Sequence, residues 1–164
     1  MLARRSTKSD NNGERLRHVN DQLQISWGQF VSDVETLAIK IQESNRQFES
    51  MIAVTRGGLF VAGLLSYRLN IQAVDTIGVY SYTAPGLKNK PIVFKYPSQF
   101  PSGQVLVVDD LEDSGDTLQC IAPLFAKATY AAVYKKGDKP SLLSFYGREL
   151  PGKEWVVFPW DSAT

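Results

Sequence analysis

Residues 105–118 read VLVVDDLEDSGDTL: four apolar residues run into Asp109 and Asp110, and Asp113, Ser114, Gly115, Asp116 and Thr117 follow. Adjacent carboxylates at the end of a buried strand repel each other and are costly to take out of water. A hard cation or a sugar diol relieves that cost, and Mg²⁺ suits the place because it takes few carboxylates and keeps water and substrate oxygens. Successive strand side chains point to opposite faces, so the two acids have different tasks. Asp113 is spaced to exchange a proton with a bound substrate, and Glu112 reads as solvent-facing. Residues 114–117, between a strand and a helix, offer unpaired backbone N–H groups, the hydroxyls of Ser114 and Thr117, and the backbone freedom of Gly115. Together these suit a phosphate. For residues 114–117 a simple helix cap is the plainer alternative, but it does not explain the acids just upstream; for those acids the plainer alternative is a solvated strand end.

The elements that would position these groups follow from the apolar pattern. Ser26 precedes a helix carrying Phe30, Val34, Leu37 and Ile41 at helical spacing. MIAVT at 51–55 is a short strand, RGG follows it, and LFVAGLLSYRL reads as a buried helix closed by Asn70. Residues 73–82 and PIVFKY are further strands, with the turn-rich, lysine-bearing loop TAPGLKNKP between them. VLVV is a central strand, because an unbroken apolar run points to burial on both faces. A helix over 117–127, a strand at YAAVY, an irregular stretch KKGDKPSLLSFYGRELPGK and a last strand WVVF complete the chain. Strands alternating with helices predict an α/β fold with a mainly parallel sheet. In such sheets ligands bind beyond the carboxyl ends of the strands. The segments RGG, DDLEDSGDT and KK all fall there.

VLVVDDLEDSGDT resembles the phosphoribosyl-pyrophosphate (PRPP) signature of the type I phosphoribosyltransferases. IAVTRGGLFVAGLLSYRLNI resembles the purine-salvage branch of that family, most closely its xanthine-guanine members. The resemblance implies a type I fold with a small base-binding hood and transfer of a phosphoribosyl group from PRPP to a 6-oxopurine, with Mg²⁺ as cofactor. It places Arg56 and Gly57 against the pyrophosphate, with Lys88 reaching it from a flexible loop. Asp109 and Asp110 would hold the ribose hydroxyls, directly or through metal. Ser114, Gly115, Asp116 and Thr117 would cradle the 5′-phosphate, with the Asp116 side chain turned to solvent, and Asp113 would manage the purine N7 proton. Lys136, or alternatively Lys135, would donate to O6; an ammonium has no acceptor capacity, which favours an oxo over an amino group. Trp155 would stack on the base while the Val156 carbonyl accepts from its amino group, although core packing is an equally ordinary use of an indole. Asp161 either binds metal with Asp110 or ends in water, and Trp160 reads as structural. Valine at 157 leaves the base open among guanine, xanthine and hypoxanthine.

Composition agrees with this and narrows it. The chain has 164 residues, a net charge of +1 and 43% hydrophobic residues, an ordinary globular balance with no basic excess for nucleic acid. No apolar run is long enough to span a membrane. The lone Cys120 forms no internal disulfide, which fits a reducing cytoplasm. Residues 1–24, basic and polar without the apolar core of a secretory signal, read as a disordered arm before a phosphoribosyltransferase domain at 25–164. The resemblance also implies a homo-oligomer, dimer or tetramer. A regulator that keeps the fold to sense PRPP or a nucleotide without turnover is the alternative; it would be favoured by loss of Arg56, Asp113 or Lys136, and all three are present.

Overall fold

The computed structural model describes residues 17–19, 22–81, 90–99, 101–137, 140–151 and 154–161. Its strands are β1 (Arg17–Val19), β2 (Gln22–Gln24), β3 (Ser50–Thr55), β4 (Ala73–Ser81), β5 (Pro91–Lys95), β6 (Val105–Glu112), β7 (Thr129–Lys136), β8 (Leu143–Leu150) and β9 (Trp155–Val157). The helices are α1 (Trp27–Glu43), α2 (Gly58–Leu69) and α3 (Asp116–Ile121). Six strands form one sheet in the order β5-β4-β3-β6-β7-β8, parallel throughout except for β5, which runs antiparallel to β4. The α/β fold with a mainly parallel sheet is as expected.

Local chemistry accounts for most boundaries. The Ser26 hydroxyl accepts from the Gln29 N–H at 3.1 Å and starts α1. Asn70 ends α2 in the left-handed region at φ 54°, a conformation asparagine tolerates. The apolar faces of α1 and α2 bury Phe30, Val34, Leu37, Val61 and Leu65 against Met51, Ala53, Leu106 and Val108 on one side of the sheet. Each such side chain contributes about 1.5–3 kcal/mol by leaving water. A second core, on the opposite side, joins Ile52, Val54, Ile77 and Val107 to Leu118 and Ile121 of α3.

Three expectations change. The helix expected over 117–127 is the short α3 followed by a 3₁₀ turn at Ala122–Leu124; Pro123 lacks the N–H that a longer helix needs and its ring crowds the preceding turn. The stretch read as irregular contains the eight-residue strand β8. Its polar and apolar residues do not alternate cleanly because it is an edge strand, and its middle is Gly147. A Cβ there would lie 2.6 Å from the Asp33 carbonyl and 2.8 Å from that of Val133. Within the segment read as an arm, β1 and β2 pair with each other and β2 pairs in parallel with β9, making a small second sheet; residues 1–16 lie outside the described ones.

Candidate functional site

The carboxyl ends of β3, β6 and β7 bring the three loops to one edge of the sheet. After β3, the Thr55–Arg56 peptide is cis and α2 begins at Gly58. Gly57 is the tightest point in the site. A Cβ on it would lie 1.9 Å from Asp110 Oδ2, and one on Gly58 would lie 2.6 Å from the Val108 carbonyl. A side chain at Gly58 would strike backbone, and one at Gly57 would force the Asp110 carboxylate to turn away, so the two glycines let the first loop pack against the acidic end of β6.

Asp109 is 9% exposed and accepts from the Asp110 N–H at 2.9 Å. Burial, and then the neighbouring Asp110 charge, hold its carboxyl well above the usual range. Asp110 is also raised, chiefly by burial, with Asp161 adding repulsion. The Asp161 carboxylate accepts from the Phe158 N–H at 2.8 Å, closing the turn after β9. Arg56, Gly57, Leu59, Phe60, Asp110, Phe158, Trp160 and Asp161 line a cleft of about 530 Å³. Its ionic lining is hard carboxylate oxygen plus one guanidinium. Among the described residues no group of three or more His, Cys, Asp or Glu side chains is arranged to hold a metal by itself. The donor set therefore suits a hard cation with few protein bonds, one whose remaining ligands come from water and a phosphate-bearing ligand.

Beside the cleft, Lys136 Nζ lies 3.2 Å from Asp113 Oδ2; the lysine side chain is 8% exposed and the aspartate 60%. Lys135 instead sits over the Tyr146 ring, 5.5 Å from its centroid. Alternation along β7 thus directs Lys136, not Lys135, toward the acidic loop. Gly115 takes φ 82° immediately before α3, a value that favours glycine. The Ser114 hydroxyl donates to Asp116 at 2.8 Å, and Asp116 is exposed as expected. Thr117 follows in the first turn of α3. Trp155 is 70% exposed, so it is not a core side chain, whereas Val156 is buried. Lys88 lies outside the described residues.

Two readings need correction or enlargement. Glu112 is not solvent-facing: it is buried, its Oε2 accepts from the Ser141 hydroxyl, and its Oε1 has no partner. Its place in an otherwise buried strand was the available signal. Trp160 packs on the core as expected, but it also lines the cleft. Its ring stacks on Phe60 at 4.2 Å and on Phe158 at 4.8 Å between centroids. Sequence pattern did not single out Phe60, because helical spacing alone does not tell an exposed first-turn ring from a core one.

Residues 21–162 match the phosphoribosyl transferase domain. The chain is 36% identical to a xanthine-guanine phosphoribosyltransferase of Cereibacter sphaeroides, over 92% of each chain. It is 33% identical to one of Gluconobacter oxydans, over 85% of this chain and 84% of the relative. The fold superposes on a purine phosphoribosyltransferase from Pyrococcus horikoshii with a TM-score of 0.74 at 26% identity, covering 88% of this chain and 96% of that one. With the glycine-tight junction of its first loop and acidic strand end, and with these relatives, the chain belongs to the phosphoribosyltransferase family.

Proposed function

We propose that this protein transfers the 5-phosphoribosyl group of PRPP to a 6-oxopurine (guanine, xanthine or hypoxanthine), giving the nucleoside 5′-monophosphate and pyrophosphate. The observation that supports the reading is the close approach of Gly57 to Asp110, which brings the loop assigned to pyrophosphate against the acidic pair assigned to the ribose. Arg56 stabilises charge on the departing pyrophosphate, and Lys88 is assigned to the same group. Asp109 and Asp110 hold the ribose hydroxyls. Ser114, Gly115, Asp116 and Thr117 supply the 5′-phosphate loop through their backbone and hydroxyl groups.

Asp110 and Asp161 would hold Mg²⁺, which would supply positive charge to the pyrophosphate when bound. The raised carboxyls of Asp109 and Asp110 support this: burial is the main cause in both, and the added repulsion of Asp109 by Asp110 and of Asp110 by Asp161 would be relieved by a cation. On the base side, Trp155 provides an exposed stacking face and the Val156 carbonyl an acceptor. Lys136 donates to O6, exchanging its present bond with Asp113 for one with the base. Asp113, thus released, takes the proton at purine N7 as N9 bonds to C1 of the ribose.

The test is a panel of guanine, xanthine, hypoxanthine, adenine, uracil and orotate incubated with PRPP, with Mg²⁺ or with a chelator. The expected result is nucleotide from 6-oxopurines alone, abolished by the chelator. Conversion of orotate or uracil in preference overturns the roles of Trp155 and Lys136. Binding of PRPP with no turnover of any base returns the chain to the class of ligand sensors.

A further inference from the structure

We propose that Glu112 is a positioning residue that couples the two substrate sites, making base affinity depend on occupation of the phosphate loop. The inference rests on the phosphoribosyl-transfer reading above and adds to it a residue that no part of that reading uses.

The connection from β7 to β8 is held at both ends by consecutive residues of the acidic segment. At its start, Lys136 pairs with Asp113 at 3.2 Å. At its end, the Ser141 hydroxyl donates to Glu112 and accepts from the Leu143 N–H at 3.0 Å, which fixes where β8 begins. Glu112 and Asp113 sit where β6 gives way to the phosphate loop, so one short stretch of backbone governs both that loop and the lysine that meets the base.

Glu112 carries a second, independent feature. It is 7% exposed, and among the described residues its Oε1 has no donor. Buried carboxylate oxygens are normally satisfied, so an orphan calls for a partner from elsewhere. This one faces the phosphate loop: a Cβ on Gly115 would lie 3.7 Å from Glu112 Oε1 and 3.7 Å from Gln119 Nε2. When the loop main chain tightens around a phosphate, a loop N–H or the Gln119 amide, which borders Gly115 together with this oxygen, fills the vacant acceptor. The carboxylate is then fixed at both oxygens, one by the phosphate loop and one by Ser141. Asp113 and the Lys136 it pairs with are held in place before the base arrives, and the second ligand has less ordering left to do.

The experiment measures guanine affinity by calorimetry with and without saturating ribose 5-phosphate, in the wild type and in Ser141→Ala, Glu112→Gln and Glu112→Ala. Thermal unfolding and steady-state turnover are recorded alongside. In the wild type, ribose 5-phosphate is expected to tighten guanine binding about fivefold or more, a typical size for linked sites. Ser141→Ala, which removes only a hydroxyl at a partly exposed position, is expected to bring that factor to within about twofold of unity while the protein stays folded. Glu112→Gln retains an acceptor for Ser141 but puts a donor or a neutral acceptor at the other position, so it keeps an intermediate factor. A merely structural link would lower the unfolding temperature and leave the factor intact, and that result, in Ser141→Ala, overturns the proposal even if Glu112→Ala fails to fold. Absence of the factor in a wild type that turns over guanine also overturns it. Absence of turnover with every 6-oxopurine overturns the functional reading first, and this inference with it.

Discussion

The domain buries two sets of aspartates and treats them in opposite ways. Asp33, on α1, is 1% exposed. Its carboxylate accepts from Gln29 Nε2 at 3.0 Å, from the Tyr134 hydroxyl at 2.9 Å and from Arg148 Nε at 2.9 Å, with Arg148 also pairing through its second nitrogen at 2.8 Å. Asp109 is nearly as buried, yet among the described residues it accepts from one backbone N–H, and its ionic neighbour is another carboxylate. The first set is complete within the protein and ties α1 to β7 and β8. The second carries repulsion between neighbouring carboxylates, and on the proposed reading a metal-bound, multiply hydroxylated substrate would bring the counter-charge. A buried acid that the fold satisfies is there to hold the fold; one that it leaves strained by repulsion is held for a ligand.

The sharpest way to test this contrast is on the acidic edge. Asp113→Asn is expected to lower turnover by about 10²–10⁴-fold, the usual cost of losing a proton-transfer group, with PRPP affinity little changed; unchanged turnover in a steady-state assay removes Asp113 from that role. Asp33→Ala should act on stability instead, costing about 3–5 kcal/mol in urea unfolding because it strips a buried guanidinium of its carboxylate. Should it fold as well as the wild type and lose only activity, the two sets are not distinct. Asp110→Asn is expected to raise stability by about 1 kcal/mol, by removing buried repulsion, while weakening Mg²⁺-dependent PRPP binding. A fall in stability would mean that the pair is already compensated.

The smallest effect lies at the opposite end of the sheet, at Asp75. Hydrogen bonds from Ser98 and the Thr76 N–H, with Lys95 nearby, lower its carboxyl from 3.8 to about 2. A depressed folded-state value means the unfolded chain binds the proton more readily. The contribution is therefore complete above about pH 4 and lost as pH falls toward 2, and solvent screening limits it to about 1 kcal/mol. Acid titrations of wild type and Asp75→Asn followed by circular dichroism should diverge at neutral pH and converge near pH 2.

Sequence pattern carried far where one physical signal dominates. Ser26 marked the start of α1, Asn70 the end of α2, and an unbroken apolar run marked β6. It fell short where the deciding partner is distant along the chain. β8 is stabilised by pairing with β7 and by Lys40 Nζ donating to the Tyr146 carbonyl at 2.8 Å, neither of which shows in local alternation. β2 owes its place to β9, more than a hundred residues later. The candidate site divides in the same way. The acids, glycines and lysine announced themselves by type and spacing, whereas Glu112 and Phe60 did not. Their surroundings come from Ser141 and Trp160, which only the folded chain brings near.

The column of rings Phe60–Trp160–Phe158 has a practical consequence. One of the protein's three tryptophans, Trp160, is built into the wall of the cleft with Trp27 5.6 Å away between ring centroids, and Trp155 stands in the open. The enzyme thus carries one exposed fluorophore and one close pair, and on the proposed reading they report on the base and the pyrophosphate respectively. Pyrophosphate should perturb the emission of Trp160, and guanine should quench Trp155. Single Trp→Phe replacements would separate the two signals, so the order in which ligands arrive can be followed by light in a stopped-flow cell without any added label.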